Sequence, residues 1–145
     1  ELPEAFVKAM TRPRPIEMRA VRPWSLLHPQ KSEPVRQIWM RAVAPIAGDQ
    51  VMHRAIMTYA SDMALLSTSM QPHGVSWISP NMQSASLDHA LWLHDDVRAD
   101  EWMLYVTDSP WAGGGRGFNR GKIFSRDGRL IASTAQEGLI RQRRS

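Results

Sequence analysis

Cysteine is absent from all 145 residues, so no disulfide framework, thiolate metal site or cysteine nucleophile can be built. That absence fits a reducing compartment, and the expected location is the cytoplasm. The five histidines, His28, His53, His73, His89 and His94, form no HxxxH or HxH pair. Zinc is therefore not expected, and no residue pattern asks for an organic cofactor. No apolar run approaches the length of a membrane span. A charged leader running into an apolar segment is also missing. The chain starts Glu1-Leu2-Pro3 without Met, which reads as an internal point of a longer protein and not as a signal peptide.

What remains is the composition of one folded domain. An apolar content of 43% with six tryptophans argues against disorder, and the length suits a single core. Net charge is +4 and the pI about 10.1, which permits an anionic ligand. Most arginines, however, are interspersed with acids, and only Arg141, Arg143 and Arg144 crowd together. These read as a solvated basic tail, and nucleic acid is not an expected partner.

Seven of the ten prolines lie in residues 1–45, a density that blocks any long helix there, and residues 1–14 read as a linker or the tail of a preceding domain. Residues 16–21 and 35–43 alternate with period two and are strand candidates. Gly48-Asp49-Gln50 offers an N-cap for a helix running to about Leu66. From Ala55 onward that helix is apolar nearly all round, so it is expected to be enclosed. After Pro80 the chain reads as strands over 81–93, 101–110, 116–125 and 129–141, the last two joined through Asp127-Gly128 by a tight primed hairpin turn. The run Gly113-Gly114-Gly115-Arg116-Gly117 reads as a flexible connection between strands, because it lacks the Gly-Lys-Ser/Thr ending of a phosphate loop. One helix followed by a meander of strands predicts an α+β domain in which a curved antiparallel sheet wraps a long central helix.

Against this pattern three polar residues stand out. At about 100° per residue, Asp62 falls inside the helical stripe of Met52, Ala55, Ile56, Tyr59, Met63 and Leu66, where an unpaired carboxylate is costly. On the strand 81–93, Ser84, Ser86, Asp88, Ala90 and Trp92 should share one face, opposite Ala85, Leu87, Leu91 and Leu93. On the last strand Gln136 shares a face with Leu130, Ala132, Thr134 and Ile140, so its amide needs partners. Each of these, taken singly, is more often structural than catalytic. His89 is expected as a hydrogen-bonded core residue, since neighbours on a strand point apart and Asp88-His89 cannot act on one atom. No Gly-x-Ser-x-Gly elbow supports a serine hydrolase.

The segments Tyr59-Ala60-Ser61-Asp62, Gln71-Pro72-His73-Gly74, Ala85-Ser86-Leu87-Asp88-His89-Ala90-Leu91-Trp92, Arg98–Tyr105, Arg116–Gly121 and Asp127–Gly138, in that order, resemble the C-terminal half of the acyl-CoA thioesterase II family over residues 14–143. The resemblance implies a hotdog domain over residues 15–145, the second half of a double hotdog, and hydrolysis of fatty acyl-CoA. It implies that Asp62, Ser86 and Gln136 hold and activate the attacking water. It also implies an acyl-CoA substrate and a partner, either an N-terminal hotdog domain or a second copy of this one. The chain departs from the family at His94-Asp95-Asp96-Val97, where a His-Arg-Pro-Phe segment is common and two negative charges here replace a positive one. The competing readings are a non-catalytic binding or assembly half-module and a hotdog hydratase acting on an enoyl or hydroxyacyl thioester.

Overall fold

A computed structural model describes residues 4–143. Within the segment read as a linker, residues 1–3 lie outside the described residues, and Glu4–Thr11 form a short helix, α1. This helix fits the proline-free stretch between Pro3 and Pro13, where only a short helix has room. Seven strands follow: β1 Ile16–Ala20, β2 Val35–Ala42, β3 Met82–Ser86, β4 Ala90–Leu93, β5 Met103–Gly113, β6 Arg116–Phe124 and β7 Leu130–Gln142. All pair antiparallel in the order β1-β2-β5-β6-β7-β3, with β4 also on β7. The sheet curls round the main helix, α2, Gln50–Asp62, which is the hotdog arrangement.

Helix α2 begins where Asp49 accepts the backbone N–H groups of Val51 at 3.1 Å and Met52 at 3.3 Å, two of the donors that a first turn leaves unpaired. Its inner side carries Met57, Ala60 and Ser61, buried with Leu65 just beyond. There it meets Met40, Tyr105, Ile123, Ile131 and Ala132 from the sheet. The α-helix stops at Asp62, earlier than the expected Leu66, and the chain continues through 3-10 turns at Leu66–Thr68 and Gln71–His73. Asn119 Oδ1 accepts the Ser69 N–H at 3.0 Å, and Thr68 and Thr107 join hydroxyls at 2.8 Å. These contacts pull the turns onto the sheet and so fix where the helix ends.

The expected enclosure of α2 does not hold in this chain. The stripe read as buried faces outward: Met52 is 50% exposed, Tyr59 59% and Met63 37%. Both sides of the helix are apolar, so periodicity alone could not say which one meets the sheet.

The expected strand 81–93 is broken. Ser86 pairs with Gly138 and Ala90 with Ala135, so Leu87, Asp88 and His89 stand against only Gln136 and Glu137. This is a bulge with one extra residue, and it reverses the alternation beyond it. Trp92, opposite Ser133 on the outer face, is therefore not on the face of Ser86, while Leu91 turns inward against the core.

The two glycine turns also differ from expectation. Gly128 has φ of 89° and Asp127 does not share it; the Gly128 N–H reaches Ser125 O at 3.0 Å. The loop is thus a type I turn closed by a left-handed glycine rather than a primed pair. Gly114 and Gly115, at φ of 58° and 77°, form a tight two-residue turn between β5 and β6 instead of a flexible connection. Of the expected basic tail, Arg144 lies outside the described residues. Arg141 lies within β7, paired with Gln83, and the Arg143 side chain donates to Gln83 Oε1 at 3.1 Å.

Gly117 on β6 lets Ser69 lie against the sheet, since a Cβ there would come within 2.5 Å of Ser69 Cβ. Gly117→Ala should therefore lower stability by about 1–3 kcal/mol. Urea denaturation checks this, with a falling midpoint and an unchanged slope as the expected result.

Candidate active site

Asp62, Ser86 and Gln136 meet where the C-terminal end of α2 passes over β3 and β7. Gln136 is fully buried, and its Nε2 donates to Asp62 Oδ1. Ser86 Oγ donates to the same oxygen at 3.3 Å. Among the described residues the other carboxylate oxygen, Oδ2, takes no part in these contacts and is free for a ligand. The Asp62 side chain is 51% exposed, which corrects the expectation of a buried carboxylate: it lies on the open stripe of α2, held from beneath by an amide.

The site contains a fourth side chain. His89 Nδ1 lies 3.8 Å from Asp62 Oδ1 and 3.3 Å from Gln136 Nε2, and its Nε2 lies 2.8 Å from Ser61 Oγ. Strand alternation had placed it across the sheet from Ser86, but the bulge brings both to the side of α2. The bulge is pinned by two bonds to one residue: the Leu87 N–H donates to Glu137 O at 3.0 Å, and the Glu137 N–H to Asp88 Oδ1 at 2.7 Å. Asp88 thus stands in for a ladder carbonyl and is no part of the cluster. The sequence signal that could have revealed this is an Asp between two short apolar runs, a residue type that accepts backbone N–H groups where a ladder breaks.

Behind the cluster, the Tyr105 hydroxyl meets Thr134 Oγ1 at 2.8 Å. Burial, with the Asp62 charge adding to it against the Thr134 bond, pushes the phenol well above its ordinary value. Tyr105 therefore stays protonated and serves as a neutral wall.

A cleft of about 520 Å³ runs from Asp62 and Ser86 between β1, β2 and the turns after α2. Met18, Trp24, Leu26, Ile38, Met63 and Trp77 give it apolar walls. Arg36 also lines it, stacked 4.4 Å over the Trp24 ring and donating to Ser67 Oγ; desolvation holds its guanidinium below the ordinary value. Among the described residues no three His, Cys, Asp or Glu side chains cluster to hold a metal. At the departure noted in His94-Asp95-Asp96-Val97, Asp95 pairs with Arg129 at 2.5 Å and Asp96 with Arg54 at 3.2 Å. Both negative charges are thus balanced by the chain's own arginines.

The family model for acyl-CoA thioesterases matches residues 12–139. The chain belongs to the acyl-CoA thioesterase family. Human acyl-coenzyme A thioesterase 8 is 42% identical over 140 residues, covering 96% of this chain and 43% of that protein. Acyl-CoA thioesterase 2 of Haemophilus influenzae is 33% identical over 140 residues, covering 97% of this chain and 49% of the relative. Among solved structures, an acyl-CoA thioesterase II from Mycobacterium marinum superposes with a TM-score of 0.76 at 41% identity, covering 89% of this chain and 50% of that one. A hot dog fold protein from Alicyclobacillus acidocaldarius, at 16% identity and a TM-score of 0.66, shares the fold alone. The chain spans less than half the length of the curated relatives it matches.

Because Asp88 holds the bulge that turns His89 and Ser86 the same way, Asp88→Ala should cost about 1–3 kcal/mol, the usual loss when a hydrogen bond to a charged group is removed. It should also speed exchange of the Glu137 amide hydrogen. Exchange followed by NMR checks this, and unchanged protection of Glu137 would speak against the pin.

Proposed function

We propose that this chain carries the catalytic centre of an acyl-CoA thioesterase, hydrolysing fatty acyl-CoA to fatty acid and CoA. The observation that carries the reading is the convergence of Asp62, Ser86 and Gln136 on one carboxylate oxygen at the mouth of an apolar cleft. A thioester is already activated, so a placed water and a base suffice and no covalent nucleophile is required. Water bound at Asp62 Oδ2 would lose its proton to the carboxylate as its oxygen attacks the thioester carbonyl. The tetrahedral intermediate then expels the CoA thiolate, which takes that proton from Asp62. Ser86 and Gln136 hold the carboxylate so that Oδ2 faces the substrate. The acyl chain would lie along Trp24, Leu26 and Ile38.

The centre is completed by a second hotdog, either an N-terminal domain of a longer protein or another copy of this chain, giving a homo-oligomer. What supports this is the exposed face of α2 at Val51, Met52 and Tyr59 together with the exposed edge at Leu87, Trp92 and Leu93. Exposed apolar side chains along a helix and beside a strand edge that is unpaired among the described residues are the kind of surface another chain covers. Among the described residues no helix is long and apolar enough to cross a membrane. With the cysteine-free composition, the cytoplasm is the proposed location.

Asp62→Asn keeps the shape and removes the base. Thiol release from acyl-CoA should fall by roughly 10²-fold or more while circular dichroism and melting stay close to those of the unaltered protein. Undiminished turnover by the folded variant would remove Asp62 as the base, whereas no thiol release from the unaltered chain even with a second hotdog supplied would leave a binding or assembly module as the better reading.

A further inference from the structure

His89 is tied into the site by bonds whose donors and acceptors can be worked out one by one. Ser61 Oγ lies 2.8 Å from Thr58 O and 2.8 Å from His89 Nε2. Two oxygens that close need a hydrogen between them, and only the serine hydroxyl can supply it. Ser61 therefore donates to Thr58 and has only lone pairs to offer His89, so the imidazole hydrogen must sit on Nε2. Nδ1 is then a bare acceptor. It faces Gln136 Nε2 at 3.3 Å, an amide nitrogen with two hydrogens, of which the other goes to Asp62 Oδ1. The path starts on α2 at Thr58 and returns to α2 at Asp62.

The path fixes which way round the Gln136 amide lies. Gln136 is buried, being 0% accessible, and its Oε1 has no hydrogen-bond partner among the described residues, so that end of the amide contributes nothing to its orientation. Reversed, the amide would set Oε1 against both the Asp62 carboxylate and the Nδ1 lone pair, three acceptors facing one another without a hydrogen. We propose that His89 is a positioning residue of this site: locked as the Nε2–H form by Ser61, it holds the Gln136 NH2 group toward Asp62 and affects hydrolysis only through that amide. The role rests on the thioesterase reading of Asp62, Ser86 and Gln136, but the locked ring does not.

The two can be tested apart. In the full chain with ¹⁵N-labelled histidine, at a pH where imidazole is neutral, His89 should show a protonated Nε2 and an unprotonated Nδ1, and Ser61→Ala should let the ring exchange between forms. A protonated Nδ1 in the unaltered chain would overturn the proposal whatever the kinetics. In thiol release from acyl-CoA, His89→Leu should lower kcat by roughly tenfold to 10²-fold with KM changed less than threefold. His89→Asn, whose side-chain oxygen can accept from Gln136 in place of Nδ1, should recover most of that loss. Equal damage by the two variants, or a loss carried by KM, would overturn the positioning role. If Asp62→Asn left turnover intact while the nitrogen spectra came out as expected, the reading of Asp62, Ser86 and Gln136 as the catalytic group would fail and the locked ring would stand.

Discussion

A buried amide gripping a carboxylate is the contact on which this molecule turns. Gln136 sits at full depth on β7 and donates to Asp62 at the last position of α2. The amide loses its water either way, so leaving it without that partner would cost more than the bond returns in a finished fold. The same contact sets the distance between the helix end and the sheet. The turns after Asp62, held by Asn119 and Thr107, press the helix end onto the sheet from the far side.

The proposed chemistry builds on that contact. One oxygen of Asp62 is occupied by Gln136 and Ser86, and among the described residues the other takes no part in these contacts at the cleft. The carboxylate is fixed in direction without being shut away from water in this chain. A base in that position is strong only when the cleft is closed and water is limited to the molecule that reacts, and it is the outward face of α2 that a second hotdog would cover. The site and the proposed assembly surface are thus two uses of one stripe of residues, Asp62 and Met63 belonging to both.

The sequence made much of this legible, and its failures have definite causes. Period-two alternation located β1 and β2, the strand-like segments after Pro80 located β5, β6 and β7, and Asp49 marked the start of α2, because these signals are local. Asp62 and Gln136 were conspicuous as polar residues in apolar surroundings. The side of α2 that packs on the sheet was not legible, since Met57, Ala60 and Leu65 are no more apolar than Met52, Tyr59 and Met63. His89 was missed for a different reason. One extra residue at Leu87-Asp88-His89 reverses the faces of a strand, and composition alone gives no register. The early end of α2 was hidden likewise, because Met63 to Leu66 continue the apolar pattern while their backbone bonds change from α to 3-10.

On the proposed function, Asp62 is ready for chemistry in this chain and becomes effective when a second hotdog covers it. Sedimentation and thiol release from acyl-CoA, measured together across the micromolar range with and without an added N-terminal half, test it most directly. Turnover per chain should rise in step with association and be lost throughout in Asp62→Asn. A chain that sediments as a monomer at every concentration and turns over at its full rate would contradict the claim.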